Sequence, residues 1–313
     1  MQHSATNGDT DRMIRYDPHH FSEHFFEIRG TLLIEIAFRV LLTALWSAGV
    51  VWWHLHMWPI AMAATVHSLV GVALGLLLVF RTNASYDRYW EGRRLFGAIG
   101  NDLRNLARSA NVHLAGDRDL VVQLVQWAAI FPYAAVSMLR GASDVGPVAQ
   151  ELTPEDRKEL LNSPHLALHA TKKMTVILKK AYDKGLITDH LNVALDSSVR
   201  HVIDSLGGCE RIRRTPLPFA YVVHLRRALL IYCYTLPFTL VSDFGWFTVL
   251  AVALVSFIFL GIEEIGVEIE GPFGHDENDL PLDEICQTIY KNVYGLADMI
   301  EPAAPRDLDV RGL

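Results

Sequence analysis

A run of acidic and amide side chains near residue 276 is the strongest candidate for chemistry in this sequence. The stretch GPFGHDENDLPLDEI, residues 271–285, brings together oxygen ligands of the kind that Ca²⁺ binds: Asp276, Glu277, Asn278 and Asp279. The spacing is not that of an EF-hand loop. A structural interpretation is also open, in which Asp279 caps a helix that Pro281 helps to begin. Asp283 and Glu284 would then lie favourably at the positive end of that helix.

The sequence lacks the patterns that mark common catalytic sites. It contains no G-x-S-x-G, no phosphate-binding loop, no H-E-x-x-H and no G-x-G-x-x-G. His54 and His56 would face apart on a helix, which favours an interfacial role over metal binding. The three cysteines form no C-x-x-C pair, and the net charge of −7 argues against the basic face that nucleic-acid binding needs. We therefore expect neither an enzyme nor a nucleic-acid-binding protein, and no required cofactor.

An uncharged apolar run ends at a dense group of arginines. Residues 57–80 contain no Asp, Glu, Lys or Arg, and the following RTNASYDRYWEGRR contains Arg81, Arg88, Arg93 and Arg94. A helix over residues 57–80 would be about 36 Å long, which is enough to cross a hydrocarbon layer of about 30 Å. Because positive residues concentrate on the cytoplasmic side of a membrane, the arginines indicate where this helix leaves the inner leaflet.

Four transmembrane helices are predicted in all, at about residues 32–54, 57–80, 219–241 and 244–262. The two hairpins that join them in pairs contain no Lys or Arg, whereas arginines flank the opposite ends. This charge pattern predicts a multi-pass protein of the bacterial inner (plasma) membrane with both termini in the cytoplasm. The first dozen residues are polar and show no apolar core of a secretory signal.

Cytoplasmic helices are predicted at about residues 81–215 and 263–300, followed by a loose tail at 301–313. Residues 120–139 are apolar enough to span a membrane, but polar residues and Pro132 interrupt them. We favour a buried cytoplasmic helix there, and a fifth span is the alternative.

Caps and glycines predict where some of these helices begin and end. Thr153 precedes Pro154 and acidic residues, which is typical of a helix start. A later helix is expected to begin near Thr188 or Asp189 and to stop at the Gly207–Gly208 pair, because glycine often follows the last helical residue.

The second predicted span has two faces of different character. At about 100° per residue, one face carries Thr65, Leu69, Ala73, Leu76 and Phe80. Another face, about 150° away by the same geometry, carries His67, Ser68, Gly71 and Gly75. The Gly71-x-x-x-Gly75 spacing allows helices to pack closely in lipid. If that face packs, the Thr65 face is free to line a pore; the alternative is that both faces pack.

Several motifs in this sequence resemble those of bacterial bestrophins. The pattern R-x-N-x-S-Y followed by R-x-x-E-x-R resembles the junction after the pore helix of that family, and here it comprises Arg81, Asn83, Ser85, Tyr86, Arg88, Glu91 and Arg93. GGCERIRRTPLPFAY and GPFGHDENDLPLDEIC resemble two further motifs, the second of which contains Pro272, Phe273 and Gly274. Together with an Arg29-Gly30-Thr31 turn, the resemblance covers about residues 14–298 in the right order.

This resemblance implies an all-α membrane protein. Bestrophins are homopentameric ion channels in which each subunit contributes four spans and a large helical cytoplasmic region. We therefore expect one channel domain over residues 1–313, whose partners are further copies of the chain, membrane lipid and permeant inorganic ions. The resemblance also places a hydrophobic pore neck at Thr65, Leu69 and Ala73. Family necks usually present Ile and Phe, so the small Thr65 and Ala73 would make this neck wider.

The resemblance implies two further sites. A second constriction at the cytoplasmic exit of the pore should fall near Ile187 or Thr188. In animal members the acidic segment helps to form a Ca²⁺ clasp, and Asp276 and Asp279 match its side-chain ligands. Bacterial relatives are thought not to depend on Ca²⁺, so the sequence leaves Ca²⁺ as a possible ligand only.

The predicted function is a passive channel for small monovalent ions. Vertebrate bestrophins prefer chloride, and a bacterial relative is known as a cation channel. The acidic balance of this chain favours cations, with four glutamates placed just below the membrane: Glu263, Glu264, Glu268 and Glu270. A chloride channel is the alternative. A secondary transporter is less favoured, since the sequence shows no internal repeat and only Pro237 lies inside a predicted span away from its ends.

Overall fold

A computed structural model describes residues 33–276 and 278–299. Over these residues all regular secondary structure is helical, with one short 3-10 helix at Gly146–Glu151 and no strand. The nine α-helices of the described residues are α1 Leu33–His56, α2 Ala64–His113, α3 Arg118–Arg140, α4 Pro154–Leu161, α5 Leu166–Asp183, α6 Asp189–Arg214, α7 Phe219–Phe244, α8 Phe247–Glu268 and α9 Leu282–Leu296. The tail predicted at 301–313 lies outside the described residues.

The described residues form two compact units, one made of residues 33–89 with Pro216–Asp279, and one of Trp90–Thr215 with residues 280–299. Helix α2 is continuous, and the division between the units falls within it at Tyr89 and Trp90. The sequence predicted a span that ends at Phe80, but nothing interrupts the helix there. Whether the two units work as one channel domain stays a prediction.

In the first unit, α1 packs against α7 and α8, and these two helices pack against each other. A small apolar cluster joins α2 to α7 through four buried leucines: Leu74, Leu78, Leu225 and Leu229. Many apolar side chains of this unit are exposed, for example Phe38 at 67% and Leu250 at 68%. Exposed apolar surface on this scale needs a nonaqueous partner, which agrees with membrane-spanning helices.

Four helices of the described residues are long and apolar enough to cross a membrane: Ile36–His56, Ala64–His113, Arg118–Arg140 and Phe247–Glu268. The third of these, α3, differs from the others because 83% of its most apolar stretch is buried by the rest of the protein, against 17–33% for the other three. This burial supports a packed helix at residues 120–139 over a fifth span. Helix α7 is not among these four candidate spans, because its first half carries the polar residues His224, Arg226 and Arg227. Its role as a span stays a prediction.

The second predicted span begins later than the sequence suggested. Residues 57–80 were expected to be helical, but Met57 lies in a turn, residues 58–63 are irregular and α2 begins at Ala64. Pro59 explains the difference, because proline disfavours helical geometry at the preceding residue and has no amide hydrogen to donate. The irregular segment is held by a hydrogen bond from the Met62 amide to the Phe238 carbonyl at 2.8 Å.

The second unit is organised around α3, which packs against α5, α6 and α9. Tyr290 and Tyr294 of α9 both donate hydrogen bonds to the carboxylate of Glu151, which follows α3 in the 3-10 turn. Burial and the Glu151 carboxylate raise the pKa of both tyrosines, so both hydroxyls stay protonated and can donate. This shared carboxylate ties α9 to the connection after α3.

Two predictions about helix ends had different outcomes. Thr153 caps α4 as expected, since its side chain accepts a hydrogen bond from the Asp156 amide at 3.2 Å. The expectation that a helix stops at Gly207–Gly208 is wrong, because α6 continues to Arg214. Gly208 is buried, and a Cβ at this position would lie 2.7 Å from Leu95 Cδ1. The glycine permits close packing of α6 on α2 and does not end the helix.

We predict that Gly208→Ala lowers the free energy of unfolding by about 1–3 kcal/mol, since the added methyl group must displace the Leu95 side chain. The measurement is thermal unfolding of the purified protein in detergent. Gly207→Ala is the matched control: Gly207 lies on the same helix with nothing within 4 Å of an added Cβ, so alanine should leave stability unchanged or slightly raised. Equal effects of the two changes would contradict this account of the packing.

Candidate functional site

Helix α2 presents the predicted neck residues on a face that no other described part of the protomer covers. Thr65, Leu69 and Ala73 are all exposed, and Leu69 is 68% exposed. The neighbouring Leu76 and Phe80 on the same face are each 56% exposed. An uncovered stripe of this kind is available to line a pore or to meet another surface, so the neck assignment itself stays a prediction.

A different face of α2 packs against α7. The His67 ring stacks on Tyr232 with ring centroids 4.1 Å apart and planes inclined by 10°. A Cβ at Gly71 would lie 2.5 Å from Tyr232 Oη, so only glycine fits there without a shift of the tyrosine. Gly75 has nothing within 4 Å of an added Cβ. Of the two glycines in the G-x-x-x-G pair, Gly71 therefore makes the close approach that the spacing suggested.

Arg81 is the first residue of the arginine cluster, and it is buried. Only 1% of it is exposed. Its Nη2 lies 2.7 Å from Glu270 Oε2, and its Nη1 donates to Ser85 Oγ at 2.7 Å. Arg81 was predicted from the charge pattern to mark the membrane boundary. In the structure it is also a buried ion-pair partner of Glu270.

Glu270 collects hydrogen bonds from three residues in two segments of the first unit, helix α2 and the residues before α7. Besides Arg81, its carboxylate accepts from the Leu217 amide at 2.8 Å, just before α7. Its carbonyl oxygen accepts from Arg88 Nε at 3.1 Å. Arg88 belongs to the same sequence motif as Arg81, so two arginines of the motif hold one residue of the segment that follows α8. The motif thus has a structural function that is visible in the fold.

The acidic segment forms a tight turn. Asp279 is 4% exposed, and its Oδ2 accepts from the Asp276 amide at 2.9 Å. A Cβ at Gly274 would lie 2.6 Å from Asp279 Oδ2, which accounts for a glycine in the motif. Helix α9 begins at Leu282 without a side-chain cap, so the expectation that Asp279 caps this helix is wrong, although Asp283 and Glu284 do lie in its first turn. Asp279 instead stabilises the turn that precedes it.

This turn does not show a complete calcium site. Ca²⁺ takes six to eight oxygen ligands, whereas among the described residues, which leave out Glu277, no group of three or more His, Cys, Asp or Glu side chains could hold a metal ion. One carboxylate oxygen of Asp279 is already used by the Asp276 amide. Calcium binding by Asp276 and Asp279 therefore stays a prediction.

Three of the four glutamates that suggested cation selectivity are ion-paired. Arg226 Nε lies 2.7 Å from Glu263 Oε1, and Arg39 is paired with Glu264. Glu270 is paired with Arg81. Glu263 and Glu264 are also buried, at 3% and 8% exposure. A carboxylate already balanced by a guanidinium offers little charge to a permeating ion, so these residues give no support to a preference for cations.

The two residues of the predicted exit constriction differ in their exposure within the protomer. Ile187 is 4% exposed, so its side chain packs inside the protomer. Thr188 is exposed and caps α6, with its side chain accepting from the Leu191 amide at 3.4 Å. A constriction near Ile187 or Thr188 stays a prediction.

Comparison with known proteins decides the family. The family model of bacterial and fungal bestrophin proteins matches residues 12–294. The chain belongs to the bestrophin family. Bestrophins are ion channels, and the fold class inferred from the motifs, an all-α membrane protein of bestrophin type, is confirmed.

Similar sequences and structures agree with this assignment. A Nostoc protein named as a voltage-dependent anion channel-forming protein is 37% identical over 297 residues, covering 92% of this chain and 95% of the relative. An Escherichia coli K12 protein of the same description is 32% identical over 292 residues, covering 92% and 95%. The crystal structure of a bacterial bestrophin homologue from Klebsiella pneumoniae superposes with a TM-score of 0.80 at 30% identity, covering 85% of this chain and 100% of that one.

The buried Arg81–Glu270 pair predicts a large cost for removing either charge. Glu270→Gln should lower the free energy of unfolding by about 3–5 kcal/mol, because the buried Arg81 guanidinium loses its counter-charge. The measurement is the thermal unfolding midpoint of the bestrophin in detergent. Glu91→Gln is the control, since Glu91 pairs with Arg94 on the helix surface and an exposed pair contributes about 0–1 kcal/mol. An equal fall of the unfolding midpoint in Glu270→Gln and Glu91→Gln would contradict a stabilising role for the buried Arg81–Glu270 pair.

Proposed function

We propose that five copies of this bestrophin enclose a passive pore in the bacterial inner membrane that conducts small anions. Three observations support the proposal. The chain belongs to a family of ion channels. Similar proteins from Nostoc and Escherichia coli are named as anion channel-forming. The Thr65 face of α2 is uncovered in the protomer while a different face of the same helix packs.

The neck of the proposed pore is formed by rings of Thr65, Leu69 and Ala73. A ring of Leu69 side chains presents only apolar atoms, so it controls conduction by controlling whether water fills the constriction. Thr65 and Ala73 are small, which makes the neck wider there and less prone to lose its water. The uncovered position of all three side chains is the observation that carries this assignment.

The structure and the named relatives favour anions over the cations suggested by net charge. The preference for cations was predicted from glutamates expected below the membrane. Three of them, Glu263, Glu264 and Glu270, are each paired with an arginine. Because those charges are balanced, the net negative charge of the chain is a poor guide to the electrostatic potential along the pore. The names of the similar proteins then support a preference for anions.

Orientation in the membrane follows from positive charge. The arginines after the second span and before the third lie on the same side in the predicted topology, and the hairpins on the other side have none. Both termini are therefore proposed to be cytoplasmic.

We predict anion-selective currents from the purified protein in a planar bilayer. Under a tenfold KCl gradient the reversal potential should move towards the chloride equilibrium potential, up to about 59 mV for perfect selectivity. The measurement is the current–voltage relation of single channels under asymmetric salt. A shift towards the potassium potential would show a cation channel, and saturable uptake without unitary conductance steps would show a transporter.

We also predict opposite effects of two substitutions in the neck. Leu69→Ala should raise the single-channel current, because it removes the apolar constriction, and Ala73→Phe should lower it, because it adds a bulky ring. Val70→Ala is the control, since Val70 is also exposed but lies about 100° round the helix from Leu69. If the currents of Leu69→Ala and Ala73→Phe are both unchanged, Leu69 and Ala73 do not line the pore.

A further inference from the structure

The second unit contains a cavity between the later part of α2 and the start of α9. Its volume is about 460 Å³, and its lining residues come from these two helices and from Pro281. Pockets that bind small organic ligands typically measure about 300–1,000 Å³. The cavity is therefore large enough for a ligand with a ring or a short hydrocarbon chain, and the predicted pore neck does not contribute to it.

Two arginines supply the positive charge of this cavity. Arg93 and Arg104 both line it, and among the described residues neither forms an ion pair with an acidic side chain. The Nη1 of Arg104 donates to Asn101 Oδ1 at 2.9 Å, while its Nε is buried and has no hydrogen-bond partner in the described part of the chain. A buried donor without a partner is costly, so an acceptor placed here would be stabilised. Glu284 brings one negative charge to the lining, which leaves an excess of one positive charge.

The rest of the lining contains both polar and apolar side chains. Asn101, Glu284 and Thr288 are polar, and Phe96, Pro281, Ile285 and Ile289 are apolar. Phe96 and Ile289 are fully buried, at 0% and 1% exposure, and both border the cavity. A Cβ at Gly100 would lie 3.0 Å from Ile289 Cδ1, so this glycine sets the close approach of α2 and α9. At Gly97 the nearest atom to an added Cβ is Arg93 Nη1 at 3.3 Å, the end of a flexible side chain. Larger side chains at Gly97 would therefore extend into the cavity at little cost to the fold.

From this combination we infer that the cavity binds a small organic anion, with one carboxylate held by Arg93 and Arg104 and an apolar body against Pro281 and Ile285, which are partly exposed. Arginine is suited to this role because its planar guanidinium matches a carboxylate with parallel hydrogen bonds. The excess of one positive charge matches a monoanion. The inference concerns binding and does not rest on the proposed conduction of ions.

Benzoate is a suitable probe, since it combines a carboxylate with an aromatic ring that fits the volume. Its binding to the full-length protein in detergent is measured by isothermal titration calorimetry at constant ionic strength. Saturable binding of benzoate is expected, with no binding of neutral benzamide and weaker binding of inorganic phosphate. Benzamide binding as tightly as benzoate would overturn the inference, and so would phosphate binding as tightly as benzoate. The absence of saturable benzoate binding up to about 1 mM would also overturn it.

Two variants locate the binding site. Arg104→Gln should raise the dissociation constant of benzoate by about tenfold or more, the loss of one charge-assisted hydrogen bond, and Gly97→Leu should abolish binding by filling the cavity. Arg108→Gln is the matched control, because Arg108 is exposed on the same helix outside the cavity. Thermal unfolding shows whether each variant is folded.

Binding in the pore is tested separately with Leu69→Ala, which should bind benzoate like the unaltered protein. Unchanged affinity in both Arg104→Gln and Gly97→Leu would overturn the inference. So would loss of affinity in Leu69→Ala, since the anion would then occupy the neck. If single-channel currents were absent but benzoate still bound through Arg104, the proposed function would fail and the binding site would stand.

Discussion

The buried ion pair between Arg81 and Glu270 is the constraint on which the first unit depends. A guanidinium that is 1% exposed must be neutralised and hydrogen-bonded, because an unpaired buried charge costs several kcal/mol. Glu270 meets this requirement and at the same time accepts the Leu217 amide. One carboxylate thus joins the membrane-side part of α2 to the residues before α7 and after α8. The arginine cluster looks in the sequence like a run of surface charge. Its first residue, Arg81, is instead buried and connects α2 to Glu270.

This connection and the close packing beside it decide which face of α2 is covered. Gly71 lies so near Tyr232 that no other residue fits without movement, and His67 stacks on the same tyrosine. Leu74 and Leu78 continue the packed side towards Arg81. Once this side is covered by α7, Leu69 has to remain uncovered in the protomer, where it is 68% exposed. An apolar side chain in that position requires lipid, another subunit or a dewetting pore to avoid bulk water.

Ion pairs within the protomer make the net charge of the chain a poor predictor of its ion selectivity. The chain carries −7 overall, yet three of the four glutamates predicted to lie just below the membrane are paired with Arg226, Arg39 and Arg81. A paired carboxylate and guanidinium contribute little field at a distance. Selectivity therefore depends on the few charges that line the ion path, and the total composition is a weak guide to it.

The sequence by itself determined the features that depend on local order along the chain. Apolar runs, flanking arginines and helix caps such as Thr153 indicated an all-helical membrane protein, and the linear motifs were sufficient to indicate its family. Tertiary structure decided what each glycine and each charge does. Gly208 looks like a helix end in the sequence, but it is a contact point for Leu95, because the side chain that needs its space comes from residues far away in the chain. Glu270 looks like a free surface acid, but it is the partner of Arg81, because the ion pair joins residues 189 positions apart. Contacts between distant residues are set by how helices pack, and packing is a property of the folded chain that no local pattern contains.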